Sequence, residues 1–128
     1  MSFKLEPKVG DLIFTYGTLR RGQRAFYKLE GKTEYLALTT MPGVSMYSLG
    51  GFPGLKLDSK ATARGELFKV TDASLFKTLD QYEGYPHMYD RVQMETPEGT
   101  AWVYIFNGEI DESRRIPSGD WLNHGATG

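Results

Sequence analysis

Tyr89-Asp90-Arg91-Val92-Gln93-Met94-Glu95-Thr96, then Pro97-Glu98-Gly99, then Thr100-Ala101-Trp102-Val103-Tyr104-Ile105-Phe106-Asn107 is the stretch whose pattern decides the fold. Val92 and Met94 alternate with Arg91, Gln93 and Glu95, and Trp102, Tyr104 and Phe106 fall on one face of the second segment. A period of two marks a strand, because successive side chains point to opposite faces of a sheet. The Pro-Glu-Gly between the segments is a turn, so the spacing predicts an antiparallel hairpin.

Upstream of this hairpin the pattern changes to a helical one. Leu75, Phe76, Leu79 and Tyr82 lie on one face of a helix predicted over Ala73–Tyr82, with Thr71 or Asp72 as cap and Gly84 as stop. Before it, Gly65–Val70 alternates as a strand. Tyr35–Met41, Val44–Leu49 and Leu55–Asp58 read as short strands, the last two separated by the turn cluster Gly50-Gly51-Phe52-Pro53-Gly54. Asp11–Tyr16 is an apolar, β-forming run stopped by Gly17, which reads as a buried strand, and Arg24–Glu30 is read as a short helix ending at Gly31. Residues 1–10 read as an extended lead-in.

The resulting six or seven short strands and two short helices place the chain in the α+β class. Strands that follow one another without intervening helices predict a small mixed or antiparallel β-barrel rather than a doubly wound sheet. With no repeat, low-complexity tract or linker, the reading is one domain over residues 1–128, with 113–128 a polar tail partly ordered around Trp121.

Composition removes several chemistries. The chain of 128 residues carries 15 Lys+Arg against 16 Asp+Glu, a net charge of −1, so no global field draws it to nucleic acid or an anionic membrane. It has no cysteine, which excludes disulfides, thiolate metal sites and a cysteine nucleophile. Its 2 histidines, His87 and His124, are too few for a multi-histidine metal centre. No apolar run approaches the roughly 20 residues of a membrane helix, and the first residues lack a signal-peptide core. The expectation is a cytoplasmic protein with no metal or cofactor, a monomer or weak dimer.

Two segments could carry chemistry. Gly17-Thr18-Leu19-Arg20-Arg21-Gly22 follows a strand as a phosphate loop would, but Gln23-Arg24 stands where that loop needs Lys-Ser/Thr. The segment is either a strand-exit turn with solvated arginines or a nest of backbone N–H groups for a carboxylate or oxyanion. Glu83, directly before Gly84, faces the negative end of its helix. It is either an exposed carboxylate or a proton shuttle whose pKa is raised by the dipole and by Tyr82 and Tyr85. Tyr89 and Arg91 read as a half-buried strand aromatic and a surface ion-pair partner, or as lining of one pocket with Glu83. Asp80, one turn before Glu83, reads as solvated, and His87 as a loop residue. Gly43-Val44-Ser45-Met46-Tyr47 lacks the second glycine of a nucleophile elbow, so serine-triad hydrolysis has no support. Aromatic alternation at Trp102, Tyr104 and Phe106 reads as core packing, since no basic cluster accompanies it.

Taken together, Tyr16-Gly17-Thr18-Leu19-Arg20-Arg21-Gly22-Gln23 resembles the Tyr-Gly-Thr-Leu signature of the gamma-glutamylcyclotransferase-like proteins, in particular the gamma-glutamylamine cyclotransferase branch. Leu79-Asp80-Gln81-Tyr82-Glu83-Gly84-Tyr85-Pro86-His87-Met88-Tyr89-Asp90-Arg91 is similar to that family's helix-end glutamate followed by Tyr-x-Arg, and Ser118-Gly119-Asp120-Trp121 is similar to the C-terminal segment of some microbial members. The resemblance implies a small closed β-barrel with a pocket at its mouth. It implies a cofactor-free intramolecular cyclisation of a small-molecule gamma-glutamyl amine or amino acid, releasing 5-oxoproline and the amine. In that scheme Glu83 is the general acid/base, and Tyr16, Gly17, Thr18 and Leu19 form the substrate loop. Tyr89 lines the pocket, with Arg91 of the Tyr-x-Arg pair as a further substrate-binding candidate. The other reading is a non-catalytic module that uses the same pocket for a small carboxylate. A carboxylate at Glu83 favours the enzyme, because a pocket built only to hold an anion gains little from it.

Overall fold

In the computed structural model, which describes residues 6–123, side chains that alternate in sequence alternate between two apolar clusters in space. The parts of the lead-in and tail at residues 1–5 and 124–128, His124 included, lie outside the described residues. Strand β1 (Leu12–Thr15) sends Ile13 to one face and Phe14 to the other. Strand β5 (Gly99–Phe106) divides in the same way, with Trp102 and Tyr104 on the first face and Ala101, Val103 and Ile105 on the second. Each fully buried Leu, Val or Phe contributes about 1.5–3 kcal/mol relative to exposure, so two filled faces fix the register of every strand that feeds them.

The other strands are β2 (Thr33–Ser48), β3 (Pro53–Val70), β4 (Tyr89–Thr96) and the two-residue β6 (Arg115–Ile116). They form a single mixed sheet in the order β4-β5-β1-β3-β2-β6. β1 lies at its centre, antiparallel to β3 (Ile13 opposite Phe68) and parallel to β5 (Ile13 opposite Trp102); the remaining pairs are antiparallel. The β4–β5 hairpin spans the predicted residues within one position.

The segments read as separate short strands join into two long ones. β2 and β3 pair from Thr33–Val70 to Ser48–Pro53, with register shifts after Tyr35 and after Pro42. Bulges bend a strand and raise its local twist without ending it, which is why the sequence pattern breaks where the strand does not. The curl brings β2 back toward β4: Thr39 Oγ1 donates to Glu98 in the β4–β5 turn, and Met94 Cε approaches the Gly43 backbone. Phe14, Met41, Val44, Leu67 and Val103 fill the inside of this roll. No ladder joins β4 to β6 among the described residues, so the barrel is rolled but not closed.

Helix α1 (Ser74–Glu83) covers the first face with Leu75, Phe76 and Leu79. The N-cap position is Ala73, which makes no side-chain cap, rather than Thr71 or Asp72; the Asp72 carboxylate accepts the Ser74 N–H at 2.9 Å in the turn just ahead of it. Gly84 ends it in the left-handed conformation (φ 69°), where the Tyr85 N–H returns to the Asp80 carbonyl. Tyr82 is not buried with the others but stands 39% exposed. The helix expected at Arg24–Glu30 is a single 3-10 turn, Phe26–Lys28, held by bonds such as Leu29 N–H to Phe26 O. Its seven residues are too few to supply the repeated apolar turns that stabilise a helix by packing.

Candidate active site

A cavity of about 260 Å³ opens between the end of β1, the C-terminal turn of α1 and the first residues of β3. Tyr16, Gly17, Thr18 and Leu19 form one wall as the chain leaves β1; Tyr82, Glu83, Met88 and Tyr89 form the opposite wall; Phe52 and Pro53 form the rim, and Trp102 and Tyr104 the back. Six of the seven residues singled out from the sequence therefore meet in one place. The seventh, Arg91, does not line it. Its guanidinium donates to Asp80 and lies over the rings of Tyr85 (4.3 Å) and Trp102 (5.5 Å), behind the cavity wall.

Gly17 is required by closeness rather than by an unusual φ. A Cβ there would stand 2.4 Å from Cγ of Pro53, so only glycine lets the loop pass this close to the rim. The loop turns back at once, with Arg20 N–H on the Gly17 carbonyl and Ala25 N–H on the Thr18 carbonyl. Among the described residues the N–H groups of Gly17, Thr18 and Leu19 donate to no carbonyl, which leaves three donors beside the cavity. Thr18 Oγ1 and Tyr82 Oη share a hydrogen bond of 2.8 Å across the opening, tying the loop to α1.

The arginines of this loop are not solvated as a pair. Arg20 is buried between two carboxylates, with Nη1 donating to Asp120 at 3.2 Å and Nε 3.8 Å from Glu66. Glu66, also buried, accepts the Arg21 N–H at 2.7 Å, and Asp120 accepts the Leu122 N–H and the Asn123 amide. The loop is thus braced from behind by the middle of β3 and by the C-terminal tail. Neither partner was legible from sequence, since Glu66 sits in an alternating strand where it reads as the exposed member. The only signal for Asp120 was the Ser-Gly-Asp-Trp segment.

Glu83 projects into the cavity at the end of α1. Burial pushes its carboxyl up to about 7, and no hydrogen bond from a described residue offsets it. Burial is the cause here, where the sequence pointed to the helix dipole and to Tyr82 and Tyr85. Three phenols surround the carboxyl and are raised above the usual tyrosine range: Tyr16 and Tyr89 by burial first and the Glu83 charge next, Tyr104 by burial first, then by its hydrogen bond to Asp80, and least by Glu83. Each has its proton committed elsewhere. Tyr16 Oη donates to the Tyr104 carbonyl (2.7 Å), Tyr89 Oη to the Pro53 carbonyl (2.9 Å) and Tyr104 Oη to Asp80 Oδ1 (2.7 Å). Asp80, read as solvated, is in fact engaged on both oxygens, by Tyr104 and by Arg91. A carboxylate that titrates near neutrality, facing an apolar cavity with free backbone N–H donors opposite, is equipped to move protons on a substrate held by its anionic end. Among the described residues no cluster of His, Asp or Glu could hold a metal ion, and no helix is long and apolar enough to cross a membrane.

The family model described as gamma-glutamyl cyclotransferase, AIG2-like, matches residues 13–123. The Escherichia coli gamma-glutamylcyclotransferase family protein YtfP is 32% identical over 111 residues, covering 87% of this chain and 96% of its own. The gamma-L-glutamyl-butirosin B gamma-glutamyl cyclotransferase of Niallia circulans is 29% identical over 122 residues, covering 88% and 76%. Among solved structures, a Pyrococcus horikoshii protein superposes with a TM-score of 0.76 at 25% identity, covering 91% of this chain and 97% of that one.

Proposed function

The chain belongs to the AIG2-like gamma-glutamyl cyclotransferase family, and on that premise we propose that it cyclises a gamma-glutamyl amine or amino acid, releasing 5-oxoproline and the free amine. The observation that carries this reading is Glu83: a carboxyl with its proton affinity raised to about 7, in an apolar cavity, opposite the free N–H groups of Gly17, Thr18 and Leu19.

The α-carboxylate of the gamma-glutamyl group binds the loop N–H groups. This fixes the flexible chain folded back on itself, which supplies the orientation that an intramolecular attack needs. Glu83 takes one proton from the α-ammonium. The neutral nitrogen attacks the side-chain carbonyl carbon, a C–N bond forms, and the amide C–N bond to the leaving amine breaks. The remaining surplus proton of the attacking nitrogen and the one held by Glu83 end on the leaving nitrogen. The amine departs as an ammonium and Glu83 returns to carboxylate. A base whose pKa lies near the working pH suits both halves of this exchange. Tyr16 and Tyr89 have already spent their hydroxyl protons on main-chain carbonyls, so toward the cavity they offer lone pairs, which suit an ammonium. Phe52, Tyr82 and Met88 give the leaving group an apolar rim.

The test is incubation of the purified protein with a panel of gamma-glutamyl amines and gamma-glutamyl amino acids, reading 5-oxoproline by chromatography. Release from at least one panel member, abolished in Glu83→Gln, is the expected result. Binding of 5-oxoproline or glutamate with no release from any member would favour the non-catalytic module.

A further inference from the structure

The cluster behind the cavity wall has a role that the proton transfer does not itself require. Arg91 is almost wholly enclosed, its side chain 6% exposed, and among the described residues Asp80 is its one carboxylate partner. Among the described residues its Nε has no acceptor, and its guanidinium lies against the rings of Tyr85 and Trp102. Asp80 presents Oδ2 to this cation and Oδ1 to the hydroxyl of Tyr104. It stands three residues before Glu83 on α1, a spacing that puts the two side chains on neighbouring positions, Cβ to Cβ ~5–6 Å.

We propose that Asp80 is a positioning residue of the site: by taking the Arg91 cation and the Tyr104 proton onto its two oxygens, it withholds from Glu83 both the positive charge and the hydrogen-bond donor that lie behind the wall. This rests on the reading of Glu83 as the acid/base. The groups facing Glu83 from each packed element are then all neutral or paired: Tyr16 from the end of β1, Tyr82 on α1, Tyr89 from β4 and Tyr104 from β5. Lys28, on the turn that precedes β2, lies 5.0 Å from the Tyr82 ring. The Asp80–Arg91 pair is electrically neutral as a unit, so neither its cation nor its anion stands uncompensated behind the wall that carries Glu83. Break the pair at Arg91 and a net charge is left on Asp80, one helical turn from Glu83; break it at Asp80 and the charge is left on Arg91, behind the same wall. At such a distance and an intermediate effective dielectric, a unit charge shifts a neighbouring titration by about one pH unit.

The experiment is a carbon-13 NMR titration of side-chain-labelled glutamate in the intact protein, with the Glu83 signal assigned by its loss in Glu83→Gln. It needs no substrate, so a protein that released no 5-oxoproline would undo the proposed function and leave this test standing. Asp80→Asn keeps the shape and an acceptor for Tyr104 but strips the charge; its Glu83 midpoint should fall by about one pH unit. Arg91→Gln leaves Asp80 uncompensated, and the midpoint should rise. The double variant restores neutrality and should return the midpoint to the wild-type value. Opposite shifts in the single variants, cancelled in the double, are a pattern that a merely structural brace does not produce. Should Asp80→Asn fail to fold, the rise in Arg91→Gln and its cancellation in the double variant decide alone. Midpoints that stay at the wild-type value, or that move the same way in both single variants, overturn the proposal.

Discussion

Glu83→Gln should make the protein more stable, and the gain should depend on pH. The Glu83 carboxyl titrates near 7 in the folded protein against an ordinary glutamate value of 4.5. The folded state therefore binds a proton more tightly than the unfolded chain between these values. Stability falls as pH rises through that window, because unfolding releases a proton. Below 4.5 both states hold the proton and nothing is lost. Above 7 the full cost of burying the charge is felt, up to about 3 kcal/mol at 1.36 kcal/mol per unit. Glutamine has the same shape and never ionises, so the variant escapes this cost. Integrating between pH 5 and pH 8, its stability advantage should grow by about 2.5 kcal/mol. For a chain of this length that is a difference in Tm of roughly 8–10 °C. Thermal melts of wild type and variant at both pH values measure it. 5-Oxoproline release in the same samples should fall by about 10²–10⁴. An advantage equal at pH 5 and pH 8 would refute the argument that burial drives the titration, and turnover near the wild-type rate would remove Glu83 from the mechanism.

The remaining predictions concern the walls and the brace. Gly17→Val drives its new carbons into Pro53, whose carbonyl also holds the Tyr89 hydroxyl; calorimetry should show 5-oxoproline binding weakened at least about tenfold, or about 1.4 kcal/mol. Arg21→Ala, which trims a half-exposed side chain, should change the same affinity less than about threefold. Asp120→Ala leaves the buried Arg20 with one distant carboxylate, and breaking such a pair costs about 3–5 kcal/mol, read as a fall in Tm of roughly 10 °C or more. Truncation after Glu112 removes the same partner together with β6, and should give a melt at least as low as that of Asp120→Ala.

Local signals in the chain were readable and non-local ones were not. The β4–β5 hairpin, helix α1 and the stop at Gly84 each depend on neighbours within a few residues, and each lies within about one residue of where alternation, spacing and turn chemistry put it. The long β2–β3 pair looked like fragments because its bulges interrupt the alternation, while the ladder that carries the strand through them lies on another segment. The walls of the cavity were legible through the loop after β1 and the glutamate at the helix end, two short runs that happen to face each other. Arg91 and Asp80 were misjudged for one reason: each looks like a surface charge until the other is known. Their partnership joins β4 to α1, and with Tyr104 it takes in β5 as well. Glu66 and Asp120 escaped for the same reason. A buried charge betrays itself only by its counter-charge, and theirs is Arg20.

That last pairing has a consequence for how the protein is made. Arg20 directly follows the loop that walls the cavity, and the Asp120 carboxylate that balances it comes 100 residues later in the chain. While the polypeptide is emerging from the ribosome, β1, its loop and most of the sheet can be present with Arg20 still lacking that partner. The loop acquires the Asp120 half of its brace only when the tail arrives and Gly119 docks its carbonyl on the Arg64 N–H. A protease that clips ahead of Asp120 yields a chain that keeps the cavity residues and the Glu66 contacts of the loop but lacks the carboxylate to which Arg20 Nη1 donates.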